Sequence, residues 1–184
     1  MSLIEVVVTG YSIIVAFCLA RLLDGIRPAA QRGSRYWVHF AWIINKIANV
    51  LITYWVTWSY SSESLSFIQF IITLVPAIVI YLQCDALVTQ QPEEVTSWRD
   101  HYYEISRYFF GMNIALGVGL VAQAFFAGSS DFPMPIYVML GVFTVISLVG
   151  YLSRSHLVHS VIACISMFNL LIGVPTYLSL SVTG

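Results

Sequence analysis

Apolar residues fall in six long runs along the chain, separated by short polar or Gly/Pro-rich stretches. The runs cover about residues 3–23, 36–60, 65–83, 107–127, 135–152 and 157–178. Each is close to the ~20 residues a helix needs to cross hydrocarbon. The pattern predicts an all-α polytopic membrane protein, a single transmembrane domain over residues 1–184 with six spanning helices. Stretches 25–35, 61–64, 128–135 and 153–156 have loop or turn compositions. Residues 92–106 read as a short amphipathic segment at the membrane surface that leads into the fourth span. Pro92, Glu93 and Glu94 suit a first helical turn there, and Ser97 with Asp100 suits a cap.

Composition agrees with this pattern. Hydrophobic residues make up 59% of the chain and charged residues 9%, against roughly 25% charged in soluble domains. So few charges cannot build a shell for water, so the lipid bilayer is the expected solvent. A net charge of −1 offers no basic face to nucleic acid. Cys18, Cys84 and Cys164 lie far apart, with no zinc-like spacing and no disulfide framework. They read as buried apolar-like thiols. Glu5 stands where a signal peptide would carry a basic residue, so the first run reads as a retained helix.

Basic residues orient the six spans. Arg21, Arg27, Arg32 and Arg35 fall at the first junction, Arg99 and Arg107 at the third, and Arg154 at the fifth. The positive-inside rule makes that side cytoplasmic and leaves both termini extracytoplasmic. Interfacial aromatics fit the same scheme. Tyr36 and Trp37 mark the inner end of the second run, Trp55, Trp58 and Tyr60 mark its outer end, and Trp98, Tyr102, Tyr103 and Tyr108 precede the fourth.

The chemistry that stands out is Lys46, the one lysine of the chain. It lies about ten residues, or ~15 Å of helix, past Tyr36. A charge at the bilayer centre costs at least ~2.5–3.5 kcal/mol, so Lys46 is expected to face protein, water or another subunit. At 100° per residue His39, Trp42, Asn45, Lys46, Asn49 and Thr53 share an arc of roughly 120°, which Thr57 and Tyr60 extend. Ile43, Ile47, Val50, Leu51 and Tyr54 occupy the opposite face. Asn113 on the fourth run and Asn169 on the sixth are candidate partners. No carboxylate lies at the depth of Lys46, because Glu5, Glu63 and Asp131 sit at the outer rim and the other acids at the inner rim. Pro76 and Pro175 lie inside spans and free backbone carbonyls there. Val38-His39 with Asn49 recurs as Val158-His159 with Asn169, a weak sign of a repeated hairpin.

The run Leu19-Ala20-Arg21-Leu22-Leu23-Asp24-Gly25, followed by Tyr36-Trp37-Val38-His39 and Trp42, resembles small six-span bacterial integral membrane proteins. The resemblance covers about a third of the chain and implies a bacterial inner (cytoplasmic) membrane. It implies no chemistry. HExxH, GxSxG, Walker and Rossmann patterns are missing, so no enzyme, cofactor or metal is expected. The residues point to an oligomeric channel or carrier for an ion or small solute, anions being favoured by a lysine without an acid. His39, Trp42, Asn45, Lys46, Asn49, Thr53, Asn113 and Asn169 would line the path. The alternative is a non-transporting sensor or interaction subunit whose polar stripe is a helix contact.

Overall fold

The computed structural model describes residues 3–30, 35–59, 67–89, 91–126 and 134–173. Among them are six α-helices and no strand: α1 (Leu3–Ala30), α2 (Trp37–Ser59), α3 (Phe67–Leu87), α4 (Trp98–Phe126), α5 (Met134–Leu152) and α6 (His156–Phe168). A 3₁₀ turn at Pro92–Glu94 precedes α4, and a π turn at Asn169–Gly173 extends α6. The all-helical class matches the pattern of apolar runs. The turns expected at 61–64 and 128–133, the end of the sixth run and Pro175 lie outside the described residues.

Helix ends differ from expectation in three places. Residues 25–30 continue α1 rather than forming a loop. Pro28 lies in the last described turn of α1, where it cannot donate to the Asp24 carbonyl. Gly25 is buried inside the helix because it touches Val88. A Cβ at this position would collide with the valine side chain. The third helix runs on to Leu87, so Asp85 is helical, and Arg21 of α1 donates to it through Nε at 3.2 Å. The surface segment and the fourth run form one helix from Trp98 onward. The Ser97 hydroxyl caps it by accepting the Asp100 N–H at 3.3 Å, as the spacing predicts.

Helices alternate in direction, and α2 is the inner member of the bundle. It packs on α1, α3, α4 and α6, while α5 packs mainly on α4. One end of the bundle gathers Arg27, Arg35, Arg99 and Arg154 with a belt of rings. There Tyr36 lies 5.4 Å from Tyr102, 6.1 Å from Tyr103 and 5.7 Å from His156. Below the belt, Trp42 meets the edges of Phe109 and Phe110 at 5.1 and 5.4 Å.

Several polar side chains are buried within an apolar core, and many large apolar ones are exposed. Lys46, Gln83, Asn113, His39, His159 and Ser147 are buried. Phe17, Val145, Leu157 and Leu171 are exposed by 62%, 61%, 72% and 69%. Among the described residues one stretch, Glu5–Ala30, is by itself long and apolar enough to cross a bilayer. The apolar parts of other helices, such as Leu74–Leu87, Leu140–Leu152 and His156–Leu171, are shorter.

Close helix contacts make a testable distinction among the glycines. A Cβ at Gly150 of α5 would lie 2.7–2.8 Å from the buried Phe110 ring. Gly119 and Gly141 have open space around them. Gly150→Ala is expected to lower the unfolding free energy by about 1–3 kcal/mol through overpacking. Gly141→Ala is expected to leave it unchanged or raise it by up to ~1 kcal/mol through helix propensity. Thermal and denaturant unfolding of the two purified variants checks the contrast.

Candidate functional site

Lys46 projects from α2 into the interface with α3 and α4 and is 2% exposed. A helical side chain leans back toward its helix N-terminus. The amine therefore reaches toward the arginine-bearing end, to the level of Gln83, one turn before the end of α3. Its Nζ donates to Gln83 Oε1 at 2.7 Å and to Asn113 Oδ1 at 3.3 Å. Gln83 Nε2 donates to the same Asn113 oxygen at 2.9 Å. Three side chains from three helices thus close a buried triangle. The Phe109 ring lies 5.4 Å from Nζ and covers a further side.

Both oxygens that hold the amine are neutral amide oxygens. Lysine has only donors, so each amide must present its oxygen to it. That choice leaves Asn113 Nδ2 buried and, among the described residues, without a hydrogen-bond partner. Trp42 Nε1, one turn before Lys46 on α2, is turned toward the Tyr102 hydroxyl without a bond of good geometry. The amine therefore has a second donor, the Asn113 N–H group, close by, and no carboxylate is among its hydrogen-bonding partners.

The eight residues expected to form one path separate into groups. Lys46 and Asn113, one of its two candidate asparagine partners, meet. His39 is buried under the aromatic belt. It stacks on Trp98 at 5.0 Å and meets His101 and Tyr102 edge-on at 5.7 and 6.2 Å. Neither of its ring nitrogens has a partner of good geometry among the described residues. Trp42 is packed between Phe109 and Phe110. Asn45 Nδ2 donates to the Ser166 carbonyl of α6 at 3.3 Å. The Thr53 hydroxyl donates back to the Asn49 carbonyl at 2.8 Å, and Asn49 Oδ1 is buried without a described partner. Asn169 does not join the amine; it is exposed in the π turn after α6. The arc of α2 splits because four helices surround it, so neighbouring positions meet different partners. Ile43 and Val50, on the supposed opposite face, are equally buried.

Sequence reasoning missed Gln83, the shortest contact of Lys46. Gln83 read as the last residue of its run, and only the continuation of α3 to Leu87 places it inside the bundle. A second missed contact joins α4 to α6. The Tyr102 hydroxyl donates to His159 Nδ1 at 2.8 Å, and His159 Nε2 donates to the Ser153 carbonyl at 3.0 Å. This chain requires the neutral Nε2–H tautomer of His159. Burial pushes the Tyr102 hydroxyl well above its ordinary range, which keeps it a proton donor. His39 and His159, the two members of the short sequence repeat, thus flank the same tyrosine. Among the described residues no three His, Cys, Asp or Glu side chains converge to hold a metal ion.

Two predictions follow from these contacts. Burial holds the His101 imidazole below its usual 6.5, against the opposing pull of the Glu104 carboxylate. The unfolded chain then takes up more protons than the folded one. The contribution is fully present above pH 6.5 and is lost as pH falls through and below that value. His101→Gln should flatten the fall of the melting midpoint between pH 7.5 and about pH 5. Lys46→Met and Gln83→Leu, alone and together, should give a coupling energy of about 1–3 kcal/mol in denaturant unfolding, because the bond carries a charged or strongly polar donor. Additive effects would mean that the 2.7 Å contact contributes nothing.

No protein-family model, curated protein or solved structure significantly matches this chain, so the reading of its site rests on the geometry above.

Proposed function

We propose that the chain is a six-span protein of a lipid bilayer and works there as a homo-oligomeric carrier of a small ion or solute, an anion in the first instance. The membrane reading is supported by the many large apolar side chains exposed on the bundle and by the polar ones, Lys46 among them, buried within its core. The placement of Arg27, Arg35, Arg99 and Arg154 at one end of alternating helices supports a six-span topology with that end cytoplasmic. The resemblance of the first two helices suggests the inner membrane of a bacterium.

The observation that carries the transport reading is the Lys46 amine held by two neutral amide oxygens. A protonated amine in that setting keeps its charge uncompensated by any bonded carboxylate. A small anion would supply the missing charge, with the unpaired Asn113 N–H group as a further donor. Lys46 is closed off from both surfaces in this conformation, which fits an occluded carrier better than an open channel. Six helices enclose little space by themselves, so self-association belongs to this reading.

A second reading has its own support. The Asn45 amide is used on the α6 backbone and Lys46 is used on two helices, as in a polar contact that only fastens helices together. In that case the chain is a non-transporting sensor or interaction subunit.

Reconstituted liposomes separate the two. Wild type is expected to pass a small anion such as chloride faster than protein-free vesicles. Lys46→Met should reduce that flux by roughly tenfold or more, and Lys46→Arg should retain part of it. No flux in wild type, with Lys46→Met disrupting self-association instead, would establish the contact reading. The topology has a separate test in a cysteine-free background. Glu94→Cys should react with an impermeant maleimide only from the cytoplasmic side, and Asp131→Cys only from the other.

A further inference from the structure

Helices α1 and α3 pack side by side and run in the same direction. Between them lies an apolar groove of about 270 Å³ lined by Ile14, Phe17, Ile78 and Tyr81. The groove continues into the Arg21–Asp85 ion pair with the same spacing on both helices. Ile14, Phe17 and Arg21 stand at i, i+3 and i+7 on α1; Ile78, Tyr81 and Asp85 stand at i, i+3 and i+7 on α3. That spacing keeps each set on one helix face. A greasy trough about two turns long therefore ends on a fixed pair of opposite charges, at the arginine-bearing end of the bundle.

The ion pair is not closed on itself. Its one contact joins Arg21 Nε to Asp85 Oδ1, and the two side chains are 26% and 43% exposed. Arg21 Nη2 is buried without a partner among the described residues, so the exposed remainder of the guanidinium and the second carboxylate oxygen of Asp85 are what is left for another partner. The next residue of the α1 stripe is Asp24, which is exposed. The end of the groove thus holds the Arg21–Asp85 pair and Asp24, with the exposed Arg27 three residues further along α1. It offers a phosphate one strong donor group and offers an ammonium two acceptors. A purely anionic headgroup lacks the ammonium that these carboxylates would bind.

We infer that this groove is a phospholipid site selective for a zwitterionic headgroup with a primary ammonium. One acyl chain lies along Phe17 and Tyr81, the phosphate bonds the guanidinium of Arg21, and the ammonium bonds Asp85. Charge complementarity selects the headgroup, because a primary ammonium donates three hydrogen bonds whereas a trimethylated one donates none. The proposal rests on the membrane reading above and is independent of whether Lys46 carries a solute.

The test titrates the detergent-purified full-length chain with three lipids of identical acyl chains and reads bound copies by native mass spectrometry. Phosphatidylethanolamine is expected to bind roughly tenfold tighter than phosphatidylcholine or phosphatidylglycerol, the worth of one charge-assisted hydrogen bond. Asp85→Asn should erase the preference over phosphatidylcholine. Ile78→Trp should fill the groove and weaken binding while leaving the ion pair in place; Ile78 is about half exposed, so its melting midpoint and elution should stay those of wild type. Equal occupancy by all three lipids, a preference for phosphatidylglycerol, or selectivity that survives both substitutions would overturn the inference. Carbonate extraction of membranes keeps the two levels apart. Release of the chain as a soluble protein overturns the membrane reading together with this site, whereas retention with equal lipid occupancy overturns the site alone.

Discussion

A buried amine must be given hydrogen-bond acceptors wherever water is shut out, and the interior of this bundle is arranged around that need. Lys46 is held by Gln83 and Asn113, so α2, α3 and α4 are tied at one level by polar atoms rather than by shape alone. Removing one member leaves the others buried without compensation, and a buried unpaired donor or acceptor typically costs about 1–3 kcal/mol. Apolar packing has no comparable directionality. The triangle therefore sets the register of these helices more sharply than the surrounding rings do.

The aromatic layer between the amine and the arginine-bearing end has a different role. Trp42, Phe109 and Phe110 form a compact stack that separates Lys46 from the His39 and Tyr102 region. Polar groups on either side thus form two compartments. The compartment at the arginine-bearing end closes with the bonds from Tyr102 through His159 to the Ser153 carbonyl, which anchor α4 to the turn before α6. In the proposed transport reading, movement of a solute past Lys46 requires this aromatic layer to open. The stack is then the natural place for a gate.

Helix-to-helix approach is limited by small residues at a few points. Gly25 lies against Val88, Gly117 against Thr144, and Gly150 against the Phe110 ring. These contacts join α1 to the end of α3 and α4 to α5. The remaining surface of α5 is largely apolar and exposed, with Val138, Val142 and Val145 among its uncovered side chains. Lipid covers such a face in the proposed reading, or a second copy of the chain does.

The sequence by itself determined the helical class and the six helices seen among the described residues, because each apolar run is long, while the ends of α1, α3 and α4 were set by packing. It also singled out Lys46 as a lysine that must find polar company, and it offered Asn113 and Asn169 as partners; the tertiary structure chose Asn113. Arc geometry on α2 did not reveal that the polar stripe divides among α3, α4 and α6, or that Ile43 and Val50 are buried as deeply as the polar residues. Burial depends on how many helices surround a helix, and periodicity records only two sides. Gln83, the Arg21–Asp85 pair and the Tyr102–His159 bond were decided by tertiary structure alone. Each joins residues 57 or more positions apart, except that Gln83 meets Lys46 across 37 and Asn113 across 30. Contacts at such separation depend on the relative depth and rotation of whole helices, which the packing of the complete bundle sets and no single run encodes.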